Sequence, residues 1–317
     1  MNQQRLLQSL AGADGAANQP PTEADILLLQ TPSREQLQAR TRQFLSLLRQ
    51  QDACGREDGG PWKEAGDRTV VHLPDGARAT VYHASGALRY ASGLAPAEHP
   101  FERDIGREAL ARLLDERAHA LALADWAGQD KELRFERLFR TLGSGADREG
   151  RQAAPTLFRA TGAWRQFVKG LPVLGGASAA LRLAGDGSLD SLSIQARQAD
   201  GEVLERASII EAEAGARQIL WQLSALLGQR DIPEGLVESA SMRLGYLDLG
   251  KRKVQRVLAP AYVAQIVLKH RSTRQAYVLA ARATQQPYLE LPVYGGGAVP
   301  TRGRSGGGHC APPADGQ

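Results

Sequence analysis

Residues 164–176 have the sequence WRQFVKGLPVLGG, and this stretch decides the fold that the chain predicts. Residues 163–168 favour a β-strand, and Lys169-Gly170 favours a tight turn because glycine accepts positive φ. Pro172 then fixes its own φ. Gly175 and Gly176 follow, and glycines in a strand permit a bulge or the close approach of another backbone. The stretch therefore predicts a β-hairpin with a close backbone contact beside it.

Short β-favouring runs with turn residues between them lie on both sides of this hairpin. Upstream, three runs separated by Asp75-Gly76 and Ser85-Gly86 predict a β-meander over residues 69–90. Downstream, two runs flank Asp186-Gly187, and a last hairpin pairs residues 262–268 with 276–281. The strands are therefore expected to form antiparallel sheets.

Three segments have the 3.6-residue periodicity of amphipathic helices. The first, residues 33–50, begins with a capping box made by Ser33 and Gln36. The others are residues 106–121 and 209–227, and the last ends at Gly228, a typical C-terminal glycine. The order helix, strands, helix, strands predicts an α+β protein of two successive units with disordered termini. In each unit an antiparallel sheet is expected to pack on a helix.

Composition excludes several classes of protein. With 317 residues and 42% hydrophobic content, the chain is long enough for about two globular domains. No run of about 18 apolar residues exists, so no membrane span is expected. A net charge of +4 only weakly favours an acidic partner, and we expect no nucleic-acid binding. Two cysteines, Cys54 and Cys310, rule out a disulfide framework, and whether they pair stays open.

No catalytic or metal-binding pattern is present in the sequence. The six histidines include no HExxH motif and no pair at helical metal-ligand spacing, and His72 with His83 is expected to be an ordinary hairpin pair. Residues 303–307 match GxSxG only within a Gly-rich tail, where the strand and helix of a nucleophile elbow are missing. We therefore expect no enzyme activity, no metal and no cofactor. Basic clusters at 251–256 and 269–274 indicate a solvated face or, alternatively, a patch for acidic protein surfaces or lipid headgroups.

The stretch 164–176 resembles the propeptide motif of fungalysin/thermolysin-type metallopeptidases, with an aromatic-Arg-Gln strand, a Gly-hydrophobic-Pro-Val turn and a final Gly beside a small residue. The strands and helix upstream are similar to the entry strands and first helix of that family. Residues 212–281 resemble a PepSY domain, so that the resemblance covers about residues 68–290. It implies that the partner-binding residues are Trp164, Arg165, Gln166, Gly170, Pro172, Gly175 and Gly176.

Composition at the two ends and the resemblance in between together predict a division of the chain. We expect a flexible arm over residues 1–32, a helix and Gly-rich linker over 33–66, a propeptide-like α+β domain over 67–200, a PepSY-like α+β domain over 201–290, and a disordered tail over 291–317.

The function implied is that of a non-catalytic module that binds a thermolysin-like metallopeptidase and inhibits it or assists its folding. An exposed sheet edge would receive an extended segment of the partner. Two alternatives stay open: the pro-region of a secreted zinc metallopeptidase precursor without its catalytic domain, and a structural envelope protein. A secreted or periplasmic location follows by resemblance, although Met1–Pro21 lacks the basic-then-apolar order of a signal peptide.

Overall fold

The structure, a computed structural model, describes residues 3–12, 21–51, 60–73, 76–128, 131–146, 148–176, 178–228, 232, 235–270 and 273–291. Its helices are α1 (Gln3–Gly12), α2 (Arg34–Gln51), α3 (Arg107–Ala120) and α4 (Ala212–Leu227), with a 3-10 helix at Leu123–Ala127. Its strands are β1 (Glu23–Leu29), β2 (Trp62–Ala65), β3 (Arg68–His72), β4 (Arg78–Tyr82), β5 (Leu88–Ala91), β6 (Lys131–Gly143), β7 (Thr156–Val168), β8 (Leu171–Leu174), β9 (Ala179–Leu183), β10 (Leu189–Ile194), β11 (Ala199–Ser208), β12 (Val237–Leu247), β13 (Val257–Leu258), β14 (Pro260–His270) and β15 (Thr273–Arg282). The α+β class is confirmed.

An antiparallel sheet with the strand order β2-β3-β4-β5-β10-β9-β7-β6, here called sheet I, contains the predicted meander. One face of sheet I is apolar because every second residue of its strands is buried, as in Val71, Ala79 and Leu181. These side chains share one buried cluster with Leu110 of α3 and Phe44 of α2. The opposite face of sheet I is left to solvent.

A second group of strands, β8-β12-β14-β15, is called sheet II. Its neighbours are antiparallel except for β8 and β12, which are parallel. Ile219 and Leu223 of α4 belong to the same buried cluster as Leu244 of β12 and Ile266 of β14. The helix ends as its sequence predicts, with Gly228 in the left-handed conformation.

The segment expected to be a loose arm contains a helix and a strand over its described residues. Leu6 and Leu10 of α1 are buried in the same cluster as α4. Strand β1 lies between β11 and β13 in a third, small antiparallel sheet. Both elements are stabilised by residues about 170 to 230 positions later in the chain, so the local composition of residues 1–32 gave no sign of them. The expected tail, from residue 292 onward, lies outside the described residues.

The β7–β8 hairpin joins sheets I and II. Residues 160–164 of β7 pair with β9, whereas Phe167 and Val168 pair with β8. Val173 and Leu174 of β8 then pair with β12. The stretch 164–176 therefore passes from one sheet to the other, and the turn between its strands lies at the junction.

A buried ion pair, Arg197 with Asp248, lies at this junction. The two side chains are 4% and 5% exposed, and the Arg197 Nε lies 2.9 Å from the Asp248 Oδ1. The Gln195 Nε2 and the Gly250 N–H also donate to Asp248, at 2.7 and 3.0 Å. Arg197 Nη2 donates to the carbonyl oxygens of Gly250 and Lys253. These bonds replace the water that both charges lose on burial.

Replacing Asp248 by Asn is expected to lower the free energy of unfolding by about 3–5 kcal/mol, because it leaves a buried guanidinium without a counter-charge. The matched control is Arg252→Ala, which breaks an exposed Arg–Asp pair, 3.0 Å from Asp67, and should cost less than about 1 kcal/mol. Urea-induced unfolding measures both variants. Equal and small losses would show that the buried pair does not stabilise the junction.

Candidate functional site

Two of the predicted partner-binding residues, Trp164 and Gln166, are core residues. The Trp164 ring packs edge-on against Phe135, with 5.3 Å between the ring centroids. Gln166 is fully buried, and its Nε2 donates to the carbonyl oxygens of Ala127 and Arg197, both at 3.0 Å. Both side chains are buried in the folded chain. Their place in the motif is explained by packing and by hydrogen bonding within the protein.

Arg165 connects β7 to two neighbouring strands. Its Nε and Nη2 donate to the Glu136 Oε2 of β6 at 2.9 and 2.7 Å, and its Nη1 donates to the Val173 carbonyl of β8 at 2.7 Å. Burial opposes ionisation of Glu136, but the hydrogen bond and charge of Arg165 outweigh it and lower the pKa of Glu136. Arg243 of β12 approaches the same carboxylate at 3.6 Å. Arg165 therefore holds β6 and β8 in position beside β7.

The predicted turn has the conformation that a two-residue hairpin requires. Lys169 and Gly170 have φ of 48° and 82°, and both values are positive, as in the turns that match strand twist. The Lys169 ammonium forms an ion pair with Asp25 of β1. Pro172 pairs with Phe167 in the β7–β8 ladder. Two predicted partner-binding residues lie at this hairpin: Gly170 is exposed and Pro172 is half-buried.

The two glycines at the end of the motif differ from each other. Gly175 has φ of 124°, and a Cβ added there would lie 2.6 Å from the Asp248 carbonyl oxygen. The close backbone approach expected at this point therefore exists at Gly175, and the approaching backbone belongs to this same chain. A Cβ on Gly176 would meet no described atom within 4 Å. Both glycines are exposed, but only at Gly175 is the space for a side chain filled by described backbone.

The sequence did not indicate the long strand β6, whose second side is unpaired. Twelve of the 13 residues of β6 have partners on β7, Glu136 being bulged, and no described strand pairs with the other side, here called the β6 edge. Phe135, Phe139 and Leu142 are 39%, 51% and 51% exposed along this strand. A bulge between Phe135 and Arg137 shifts the alternation by one residue, so a strict period of two fails to detect the strand.

The described residues contain no group of three side chains suited to hold a metal ion. His72 pairs across strands with Arg78. The His83 Nε2 lies instead 2.8 Å from the Thr69 Oγ1 and 3.5 Å from a Glu64 carboxylate oxygen. The two histidines thus have different partners. Cys54, Cys310 and the GxSxG match fall outside the described residues. Within the described part, no helix has the length and apolar character needed to cross a membrane.

No protein-family model and no curated protein matches the chain. Among solved structures, the fold is similar to that of an uncharacterized protein from Eubacterium rectale ATCC 33656, determined at 1.45 Å resolution. The TM-score is 0.55 at 9% sequence identity, and the match covers 91% of this chain and 99% of that chain. At this identity the likeness shows the fold alone. The resemblance to metallopeptidase propeptides stays a prediction.

Replacing Gly175 by Ala is expected to lower the free energy of unfolding by about 1–3 kcal/mol, because a side chain is strained at this φ and meets the Asp248 backbone. Gly176→Ala is the matched control, expected to change stability by less than about 0.5 kcal/mol. Thermal and urea unfolding of the two variants measure the difference. Similar stabilities for both would contradict the close approach at Gly175.

The purified protein is expected to hold no stoichiometric zinc and to lack hydrolase activity. The reason is the missing ligand spacing in the sequence, since a structural or catalytic zinc needs three or four coordinating side chains held together. Metal analysis after dialysis against a chelator tests this expectation. About one tightly bound zinc per chain would overturn it.

Proposed function

We propose that the chain is a non-catalytic protein-binding module that receives an extended segment of its partner at the β6 edge. The observation that carries the proposal is the unpaired side of β6, a 13-residue strand with exposed Phe135, Phe139 and Leu142. A free edge offers a row of backbone N–H and C=O groups, and a segment that pairs with them extends the sheet. The exposed apolar side chains supply contact area beside those hydrogen bonds.

The β6 edge has two features suited to a selective partner. Charged side chains, among them Arg134 and Arg137, are interspersed with the apolar ones, and such charges oppose indiscriminate edge-to-edge pairing. The strand is also held in place before any partner arrives. Glu136 is bound by Arg165, and Arg140 forms an ion pair with Asp104. A preorganised edge lowers the entropy lost on binding.

By resemblance, the proposed partner is a thermolysin-like metallopeptidase, which the module inhibits or helps to fold. The mechanism involves no proton transfer: the module occupies a cleft of the partner while one partner strand pairs with β6. We place the module in the secreted or periplasmic space and describe it as two successive units, each a sheet on a helix. Partner binding at Gly170 and Gly176 is compatible with this arrangement, because both are exposed near the junction.

Replacing Phe139 by Lys is expected to raise the inhibition constant toward a thermolysin-type enzyme about tenfold, the factor that corresponds to about 1.4 kcal/mol. The new charge removes apolar contact area at the edge and opposes strand addition. Val278→Lys is the matched control, since Val278 is 59% exposed on β15, the outer strand of sheet II. It should leave inhibition unchanged.

Absence of inhibition by the unaltered protein, across several thermolysin-type enzymes, would refute the proposed partner class. Equal losses of inhibition for Phe139→Lys and Val278→Lys would show that the binding surface does not lie at β6. Sedimentation of the free protein gives a further check. A dimer that Phe139→Lys converts to a monomer would show that the β6 edge pairs with a second copy instead.

A further inference from the structure

The solvent-facing side of sheet I holds a depression of about 880 Å³. It lies over β3, β4, β5, β10, β9 and β7, on the face opposite the buried cluster of α2 and α3. Its floor is low because the residues there are small. They are Thr80, Ala91, Thr161, Ala180, Ser191 and Ser193.

Long cationic side chains stand above this floor. Four arginines line the depression, which is called the Arg groove: Arg68, Arg78, Arg89 and Arg182. The register of the strands sets their arrangement. Arg78 lies opposite Ala91, which in turn faces Ser191 and then Arg182 across neighbouring strands. Arg89 lies between Thr80 and Ser193. Small residues therefore separate the arginines along these cross-strand rows.

Three of these four arginines lack a counter-ion in the described part of the chain. Arg68, Arg78 and Arg89 form no ion pair with a described carboxylate, whereas most arginines of sheet I and its loops do. Asp190 is the one carboxylate among the residues that line the groove. It is engaged by the buried Arg159 at 3.1 Å, and Arg182 lies 3.7 Å away. The groove therefore keeps an excess of positive charge.

Tyr82 of β4, at the side of the groove nearest β3, lies in the same positive electrostatic potential. Burial opposes ionisation of its phenol, but the charges and hydrogen bonds of Lys251 and Arg89 outweigh burial and lower the pKa of Tyr82. Lys251 also lies over the Tyr82 ring, 4.9 Å from its centroid. The loop that follows β12 thus adds cationic charge to this end of the groove.

We propose that the Arg groove binds an extended, acidic segment of a partner protein. The arginines originate on β3, β4, β5 and β9, so they span about four inter-strand spacings, roughly 19 Å. An extended segment of about six residues covers this length, and its carboxylates on one side recur every second residue, about 7 Å apart. A guanidinium group donates two parallel hydrogen bonds to a carboxylate, which favours glutamate and aspartate over isolated ions.

Other polyanions fit the groove less well. Single-stranded nucleic acid is held by aromatic rings on which bases stack, and the tyrosines that line this groove, Tyr82 and Tyr90, are 4% and 2% exposed. A flat lipid surface cannot reach the floor of a concave face. A single small anion would contact one or two of the arginines and leave the others unpaired.

The test uses a fluorescein-labelled peptide in which eight glutamates alternate with serines, and its binding to the full chain is followed by anisotropy. Arg78→Glu and Arg89→Glu are each expected to weaken binding about tenfold or more, because each reverses a charge in the groove. Arg112→Glu is the matched control: Arg112 is exposed on α3, which packs on the opposite face of sheet I. It should change the dissociation constant less than about twofold. Circular dichroism establishes that the variants are folded.

This inference rests on the proposal that the chain is a protein-binding module, but its test contains no peptidase. Failure of peptidase inhibition therefore leaves the peptide result standing, and the reverse also holds. An equal loss for Arg112→Glu would show attraction by net charge alone and would overturn the inference. A twelve-residue oligothymidylate or an anionic vesicle that binds more tightly than the peptide, with the same loss in Arg78→Glu, would overturn it as well. If the unaltered protein does not bind the peptide at low salt, the inference is overturned too.

Discussion

The buried pair of Arg197 and Asp248 is the interaction on which the arrangement of the two main sheets depends. Two charges that are almost fully buried are tolerated only when each of their hydrogen-bonding groups has a partner. Asp248 receives three donors, and Arg197 reaches carbonyl groups on the loop that follows β12. The same loop accepts a hydrogen bond from Ser85 of the meander, through the Lys251 carbonyl. One ion pair therefore fixes a loop of one sheet against a turn of the other.

The stretch 164–176 is constrained by the same pair. The Asp248 N–H donates to the Leu174 carbonyl, and the Asp248 carbonyl occupies the space where Gly175 would carry a side chain. The residues that look most distinctive in the sequence are thus largely explained by the connection between sheets. Trp164, Arg165 and Gln166 belong to this connection too, since each contacts a neighbouring strand or loop. Because packing and hydrogen bonds within the chain already explain these residues, the motif by itself gives weak support for a binding role.

The features that the sequence predicted correctly depend on interactions between residues close together in the chain. The capping box is present as expected, because Ser33 and Gln36 exchange hydrogen bonds at 2.8 and 3.2 Å. The hairpin turn at Lys169-Gly170 and the C-terminal Gly228 also depend only on neighbouring residues. By contrast, α1 and β1 are stabilised by distant partners, a bulge interrupts the alternation of β6, and the Arg197–Asp248 pair joins residues 51 positions apart. The Arg groove needs the register of six strands, which no single segment contains.

The β6 edge and the Arg groove are neighbouring parts of one surface. Phe139 of β6 lies opposite Thr161, which faces Arg182, so one cross-strand row runs from the edge into the groove. Side chains of a strand added to β6 would alternate between the two faces of sheet I, and every second one would extend the groove face. A partner segment with apolar residues beside Phe139 must then turn across the strands of sheet I for its acidic residues to enter the groove, because the arginines lie on successive strands. The shared strand β7 makes the two proposed contacts geometrically compatible, because it fixes β6 and the floor of the groove at once.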